Sequence, residues 1–270
     1  MRARKRFGQH FLEPAWVARL VEAIAPRPDE AFLEIGAGRG ALTLALAPRV
    51  SRLVAVEVDR DLARALRRQV PGNVTIVEGD FLQSDLGGFF DEGVPARAAG
   101  NLPYNLSTPI LFRLLALADQ GRRLRDATLM LQREVADRLG AAPGTKAWGV
   151  LSACQQLRAD IEQRFVLPPG AFRPAPKVHS AVVTLRYRPL SPHVAEAATF
   201  DALVRATFTQ RRKVLDNALG AFAEARGTTS RAALAAAGID GRRRPETLTL
   251  EELAALTRVF TGSGQPTAGS

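Results

Sequence analysis

The sequence predicts an α/β protein: an open, mostly parallel sheet layered with helices, followed by a small all-α domain. Three observations carry this. Through the first two thirds, short apolar runs alternate with stretches whose apolar residues recur at helical spacing, the pattern of a sheet built from crossover units. The first strong run leads into the turn Gly36-Ala37-Gly38-Arg39-Gly40, which opens a helix. Beyond Arg188-Pro189-Leu190-Ser191-Pro192 the strand-like runs cease and only helical spacing remains.

Length and charge bound the rest. At 270 residues the chain exceeds one average domain, and 46% apolar content supports a sizeable core. The single cysteine, Cys154, excludes an internal disulfide and fits a reducing compartment. No run is long and apolar enough to span a bilayer and none resembles a secretory leader, so a soluble, cytoplasmic protein with no membrane partner is expected. Three scattered histidines give no zinc-ligand spacing. Against 27 acidic residues stand 37 basic ones, a net charge of +10 that favours a polyanion partner. Only four of the basic residues are lysine, and an arginine-rich composition would give the same balance with no such partner.

In chain order, Met1 to Arg6 is a basic arm carrying Arg2, Arg4, Lys5 and Arg6. A helix is predicted from Pro14 to Ile24, where Trp16, Val17, Leu20, Val21 and Ile24 share a face and proline suits the first turn. Ala31 to Ile35 is the first strand. In the turn after it, glycines let the backbone approach a ligand at the positive end of a helix. The second strand, Leu53 to Val58, carries Glu57, which stands 21 residues beyond Gly36. A carboxylate there can accept from both hydroxyls of a ribose. The third strand, Val74 to Val77, runs into Asp80 and Phe81, which could accept from an adenine amino group and cover its ring.

A dinucleotide site would share most of these features. Glu34 argues against one, because a carboxylate beside the glycines repels a pyrophosphate and attracts a cation. A positively charged, adenosine-bearing ligand fits, and S-adenosyl-L-methionine is the obvious candidate.

The chemistry is expected at Asn101-Leu102-Pro103-Tyr104, which follows an apolar strand (Ala96 to Gly100) and precedes a helix from Thr108 to Leu117. Open α/β sheets put ligands at such strand ends. The Asn101 side-chain oxygen and the Leu102 carbonyl can accept hydrogen bonds from an exocyclic amine. Pro103 removes a competing donor, and Tyr104 offers a face for a base. A plain turn would use the same residue types. Later, a strand and helix run through Leu129 to Leu139, a loop and helix run from Thr145 to Leu157, and Ala181 to Tyr187 is the last strand.

The order strand, glycine loop, strand-Glu, strand-Asp, strand-NLPY resembles the Rossmann-like class of S-adenosylmethionine-dependent methyltransferases, whose mostly parallel sheet has seven strands. Its Asn-Pro-Pro-Tyr-type motif marks enzymes that methylate exocyclic amines of nucleobases. Gln9-His10-Phe11-Leu12, EIGAGRG (34–40), NLPYNLSTPIL (101–111), LQREVADRL (131–139) and FRPAPKVHSAVV (172–183) narrow the likeness. Together they resemble the ribosomal RNA adenine N6,N6-dimethyltransferase family, which includes bacterial 16S, eukaryotic 18S and erythromycin-resistance 23S enzymes. The stretch FTQRRKVLDNAL (208–219) is similar to the helix opening the small C-terminal domain of the 16S branch. The likeness spans Phe7 to Phe260, with two departures: His10 where Asn is commonest, and Ala37 where Pro is frequent.

The resemblance implies cofactor contacts from His10, Leu12, Glu34, Gly36, Gly38, Glu57, Asp80, Phe81 and Asn101. It implies a target adenine aligned by Asn101 and Leu102 and sandwiched between Tyr104 and Phe172. Arg4, Lys5, Arg6, Arg211, Arg212 and Lys213 are expected against RNA phosphates, with Arg122, Arg123 and Arg125 as weaker candidates. The implied activity is methyl transfer to N6 of two adjacent adenosines near the 3′ end of 16S rRNA, in the small ribosomal subunit or its precursor. A resistance-type 23S enzyme and an assembly checkpoint factor are the alternatives. The protein is expected to act as a monomer, with a Rossmann-like domain over 1–188, a helical docking domain over 189–261, and a disordered tail over 262–270. Within the docking domain, helical spacing runs over Phe200 to Phe222, Ser230 to Ala237 and Leu250 to Phe260.

Overall fold

A computed structural model describes residues 10–86, 96–119 and 124–262. Arg4, Lys5, Arg6, Arg122, Arg123 and the tail 263–270 lie outside the described residues. The chain divides into two compact units: Met1–Ala136 with Asp160–Tyr187, and Asp137–Ala159 with Arg188–Ser270.

The first unit is built on strands. They are β1 (Phe11–Leu12), β2 (Ala31–Ile35), β3 (Arg52–Glu57), β4 (Val74–Glu78), β5 (Ala96–Asn101), β6 (Leu124–Gln132), β7 (Ala159–Leu167), β8 (Phe172–Arg173) and β9 (Ser180–Tyr187). Seven of them form one sheet in the order β4-β3-β2-β5-β6-β9-β7, and β1 pairs with β8 in a separate two-stranded ribbon. β2, β3, β4, β5 and β6 run parallel, and β9 is antiparallel to β6. Helices α1 (Pro14–Ile24), α2 (Ala41–Leu46), α3 (Arg60–Arg67), α4 (Ser107–Asp119) and α5 (Arg133–Leu139) connect the strands.

The chain steps outward from β2 to β3 to β4, then returns to the other flank of β2 as β5. That reversal opens a crevice at the carboxyl ends of β2 and β5. Its width is set by a close approach: a Cβ added to Gly100 would lie 2.5 Å from the Ile35 carbonyl oxygen. Only glycine lets β5 sit this near the end of β2.

The opposite, amino ends of the strands are held by charge. Arg97, 7% exposed, donates to Glu30 (2.8 Å), to Asp126 (2.8 Å) and to the Ile24 carbonyl at the end of α1 (2.7 Å). Arg125 joins the same two carboxylates. Burial alone would raise the pKa of Glu30. Hydrogen bonds from Arg97, Arg125 and the Arg27 N–H outweigh it and hold the group below its ordinary range. The stabilisation is therefore present above that range and is lost as pH falls through it.

In the second unit are α6 (Val150–Gln156), α7 (Ala197–Thr209), α8 (Leu215–Ala218), α9 (Gly220–Glu224), α10 (Ser230–Ala236) and α11 (Leu250–Phe260). The sequence reading divided the chain once, near Arg188, and left 137–159 with the sheet. Within that segment Ser152 donates to the Arg138 carbonyl, and Gln156 to those of Leu139 and Ala141. A buried ion pair ties it to the later helices. The buried Arg158 grips Asp201 through two 3.0 Å bonds. Cys154 is buried beside this pair, and burial followed by the Asp201 charge pushes its thiol pKa far up.

Two differences from the sequence expectation stand out. The helix read through Phe200 to Phe222 is broken: α7 ends at Thr209, and Val214 is extended (φ −69°, ψ 158°). Arg211, Arg212 and Lys213 thus lie in a turn closed by Lys213 N–H to the Gln210 carbonyl (2.8 Å), because Leu215 and Asp216 are re-anchored on Arg243 and Gly241. The loop and helix read over Thr145 to Leu157 are present: residues 145–149 turn, with Gly144 tied to Glu246, and the helix begins at Val150. Finally, β7 was missed, because its partly exposed residues leave no apolar alternation. No helix among the described residues is long and apolar enough to cross a membrane.

Replacing Arg97 with alanine leaves Glu30 and Asp126 buried without their main partner. Urea unfolding should show a loss of about 3–5 kcal/mol, with cofactor affinity of the folded protein unchanged.

Candidate active site

A cavity of about 370 Å³ lies at the carboxyl ends of β2, β3 and β5. Its floor is the glycine loop. Gly36 and Ala37 donate to the Val56 carbonyl. Gly38, at φ +58°, turns its N–H onto Glu57 Oε2 at 2.7 Å. The other Glu57 oxygen accepts from Asp59 N–H at 2.8 Å. Glu57 is therefore a fixed carboxylate whose oxygens keep lone pairs for a ligand hydroxyl. Burial raises its pKa, while the Asp59 and Gly38 bonds oppose the rise.

Glu34 behaves differently. It is 1% exposed, lines the cavity, and its Oε2 has no hydrogen-bond partner. Burial, reinforced by the Glu57 charge, pushes its pKa to about 8. Thr43 bonds oppose that rise, and a buried carboxyl group with one unpartnered oxygen in a cavity wall suits a cationic ligand, so the residues present fit a sulfonium-bearing cofactor.

At the end of β5, the Asn101 Nδ2 donates to the His10 carbonyl at 2.8 Å. A carbonyl only accepts, so the amide nitrogen must face it and the oxygen is turned away as a free acceptor. Leu102 is held by its N–H on the Met130 carbonyl (3.1 Å). The Pro103 carbonyl takes Leu106 N–H and the Ser107 hydroxyl, which starts α4. Tyr104 shares a 2.6 Å hydrogen bond with Ser180, and burial raises its phenol pKa. The β1–β8 ribbon pins the segment that brings His10 and Phe11 to the cavity.

Of the residues singled out in the sequence, His10, Leu12, Glu34, Gly36, Gly38, Glu57, Asn101, Leu102 and Tyr104 line this cavity. Asp80, Phe81 and Phe172 do not. Asp80 spends its carboxylate on Leu82 N–H (2.9 Å), and Phe81 is buried. Phe172 corrects the expected sandwich: it is 0% exposed, packs in the hydrophobic core and pairs with Leu12, so its face is not offered to a base. The structure adds Phe11, Arg39, Val58 and Arg173 to the wall. Arg39 lies over the Phe11 ring at 4.1 Å. The Gln-His-Phe-Leu stretch was the only sequence signal that could have found Phe11.

In the second unit, Arg211 reaches toward Glu246 (3.8 Å) and donates to the Thr145 carbonyl (3.3 Å), while Arg212 and Lys213 are exposed.

A parallel sheet with this switch point, a glycine loop bracketed by two carboxylates and an Asn-Leu-Pro-Tyr strand end define a Rossmann-like, S-adenosylmethionine-dependent methyltransferase. The family model for "Ribosomal RNA adenine dimethylase" matches residues 1–257, and the chain belongs to that family. Relatives named "Ribosomal RNA small subunit methyltransferase A" include one from Anaeromyxobacter sp. (strain K). It is 46% identical, over 96% of this chain and 94% of that protein. The Geobacter metallireducens relative is 46% identical over 98% of each. Among solved structures, a dimethyladenosine transferase from Plasmodium falciparum superposes with TM-score 0.78 at 22% identity, covering 94% of this chain and 98% of that one. The 23S rRNA methyltransferase ErmE gives 0.68 at 26% identity, covering 93% and 99%.

A folded-state pKa raised toward 8 makes the free protein favour protonated Glu34. That stabilisation is complete below the ordinary carboxylate range and is lost as pH rises through 8. Thermal melts from about pH 5 to 9 should show Tm falling over this window, and Glu34→Gln should flatten the fall. An unchanged slope would assign the loss to another group.

Proposed function

We propose that this protein transfers methyl groups from S-adenosyl-L-methionine to N6 of two adjacent adenosines near the 3′ end of 16S rRNA, as a cytoplasmic step in small-subunit maturation. The observation that carries the reading is the orientation of Asn101: its amide oxygen is freed as an acceptor at the strand end beside Leu102 and Tyr104. The names of relatives near 46% identity support the small subunit as the destination. The ErmE likeness is lower in identity and supports the 23S alternative less.

The bound cofactor supplies an electrophilic methyl group on a sulfonium. The chain's own residues do the rest. Glu34 and Glu57 provide negative charge and hydroxyl acceptors on the glycine-loop side of the cavity. Asn101 Oδ1 and the Leu102 carbonyl accept from the adenine amine, whose lone pair is otherwise delocalised into the ring. Holding both N–H groups favours a pyramidal nitrogen aligned for in-line attack. The same dipoles stabilise positive charge as it develops there. The methylated nitrogen then loses its proton to water, so no dedicated base is needed. The target must leave its stack to enter, and Tyr104 offers it a face. One N–H remains after the first transfer, and the same acceptors serve a second round. Arg212 and Lys213 are the exposed cations for rRNA phosphates, with Arg211 partly held by its own unit.

Asn101→Ala should abolish methyl transfer to small-subunit particles while leaving particle binding largely intact. Near-parental turnover would remove Asn101 from the chemistry. Primer extension across total rRNA locates the modified nucleotides and separates the 16S from the 23S reading.

Reversing charge at Arg212 and Lys213 should weaken particle binding and reduce its salt slope by about one for each phosphate no longer neutralised. Cofactor affinity should be unchanged. A salt slope equal to the parent's would remove this turn from the RNA interface.

A further inference from the structure

The two side chains that frame the amine are tied to different parts of the chain. Asn101 is held by the His10 carbonyl, and Tyr104 by a hydroxyl-to-hydroxyl bond of 2.6 Å to Ser180. Tyr104 stands in the turn between β5 and α4, outside the sheet, whereas Ser180 is the first residue of β9. Ser180 is 0% exposed and lies opposite Gln132 in the ladder, and the preceding His179 carbonyl takes Arg133 N–H at 3.0 Å. A fixed point on the sheet therefore holds the tip of a ring that stands on a turn. The phenol oxygen lies on the axis about which a tyrosine ring flips, so the bond leaves that flip free and stops the ring from swinging about its Cα–Cβ bond.

We infer that Ser180 is a positioning residue for the second methyl transfer, holding the Tyr104 ring in place when the amine can no longer be held by two bonds. This rests on the adenine-dimethylation reading and adds a control on its multiplicity. An unmodified amine offers one N–H to Asn101 Oδ1 and one to the Leu102 carbonyl, so two bonds align it before the ring contributes. The monomethyl amine has one N–H left and carries a methyl group beside an acceptor that it no longer fills. Its alignment falls to a single hydrogen bond and to stacking on Tyr104. A ring free to swing therefore hinders the second step more than the first.

Undermethylated small-subunit particles are mixed with excess enzyme and saturating cofactor. N6-monomethyl- and N6,N6-dimethyladenosine are counted over time, which gives a rate constant for each transfer, and cofactor affinity comes from calorimetry. Ser180→Ala removes the bond from one side. Tyr104→Phe removes it from the other and keeps the ring, so it carries the test should Ser180→Ala fold poorly. Each should slow the second transfer by roughly 2- to 12-fold, the effect of losing one hydrogen bond. The first transfer should slow by less, so that monomethyladenosine accumulates, with cofactor affinity unchanged. The double variant should match either single one, because there is only one bond to lose. Several results overturn the inference. Equal slowing of both transfers makes the bond a structural prop, and parental rates in Tyr104→Phe make it idle. Effects that multiply in the double variant mean that the two hydroxyls act separately. Lower cofactor affinity moves their effect to the cofactor side of the cavity. A parent that dimethylates no adenine removes the functional reading itself, and this is read before any variant is compared.

Discussion

The close approach of β5 to β2 is the constraint on which the site depends. With no side chain at Gly100, the strand passes against the Ile35 carbonyl, and the next residue on each strand enters the crevice. Gly36 begins the ligand loop on one side, and Asn101 presents its amide on the other. Any side chain at position 100 would push these apart, and the cavity would no longer join a cation-binding floor to an amine-binding rim.

The two ends of the sheet are charged in opposite manners. At the amino ends, the carboxylates Glu30 and Asp126 are saturated by Arg97 and Arg125, which ties α1, β2, β5 and β6 together. At the carboxyl ends, Glu34 has an unsatisfied oxygen and Glu57 bonds only backbone N–H groups. Buried carboxylates without cations are costly unless neutralised. That cost is concentrated where a ligand can relieve it.

Much of this was legible in the sequence because it depends on local chemistry. Ala31–Ile35 and Pro14–Ile24 have the predicted limits, since apolar spacing and an N-terminal proline decide them locally. Glu34, Glu57 and Asn101 stood out because their strand-end positions follow from the alternating pattern. The elements that were missed depend on distant partners. The ribbon between Phe11–Leu12 and Phe172–Arg173 is too short to show a period, and its partners are more than 150 residues apart in sequence. Phe172 depends on the same distant pairing: the resemblance set its ring opposite Tyr104, whereas here it is buried in the core beside the Leu12 pairing. The break after Thr209 depends on bonds from Leu215 and Asp216 to the distant 241–243 segment, which no local spacing reveals.

Cys154 gives the helical unit a built-in clock. Its thiol is the only one in the chain, is fully covered, and has a pKa raised by burial and by Asp201, so the folded unit holds it as an unreactive thiol. A thiol reagent therefore modifies it only in molecules that have opened around the Arg158–Asp201 pair. The rate of labelling then measures how often that unit breathes, with no engineered probe and no other cysteine in the background.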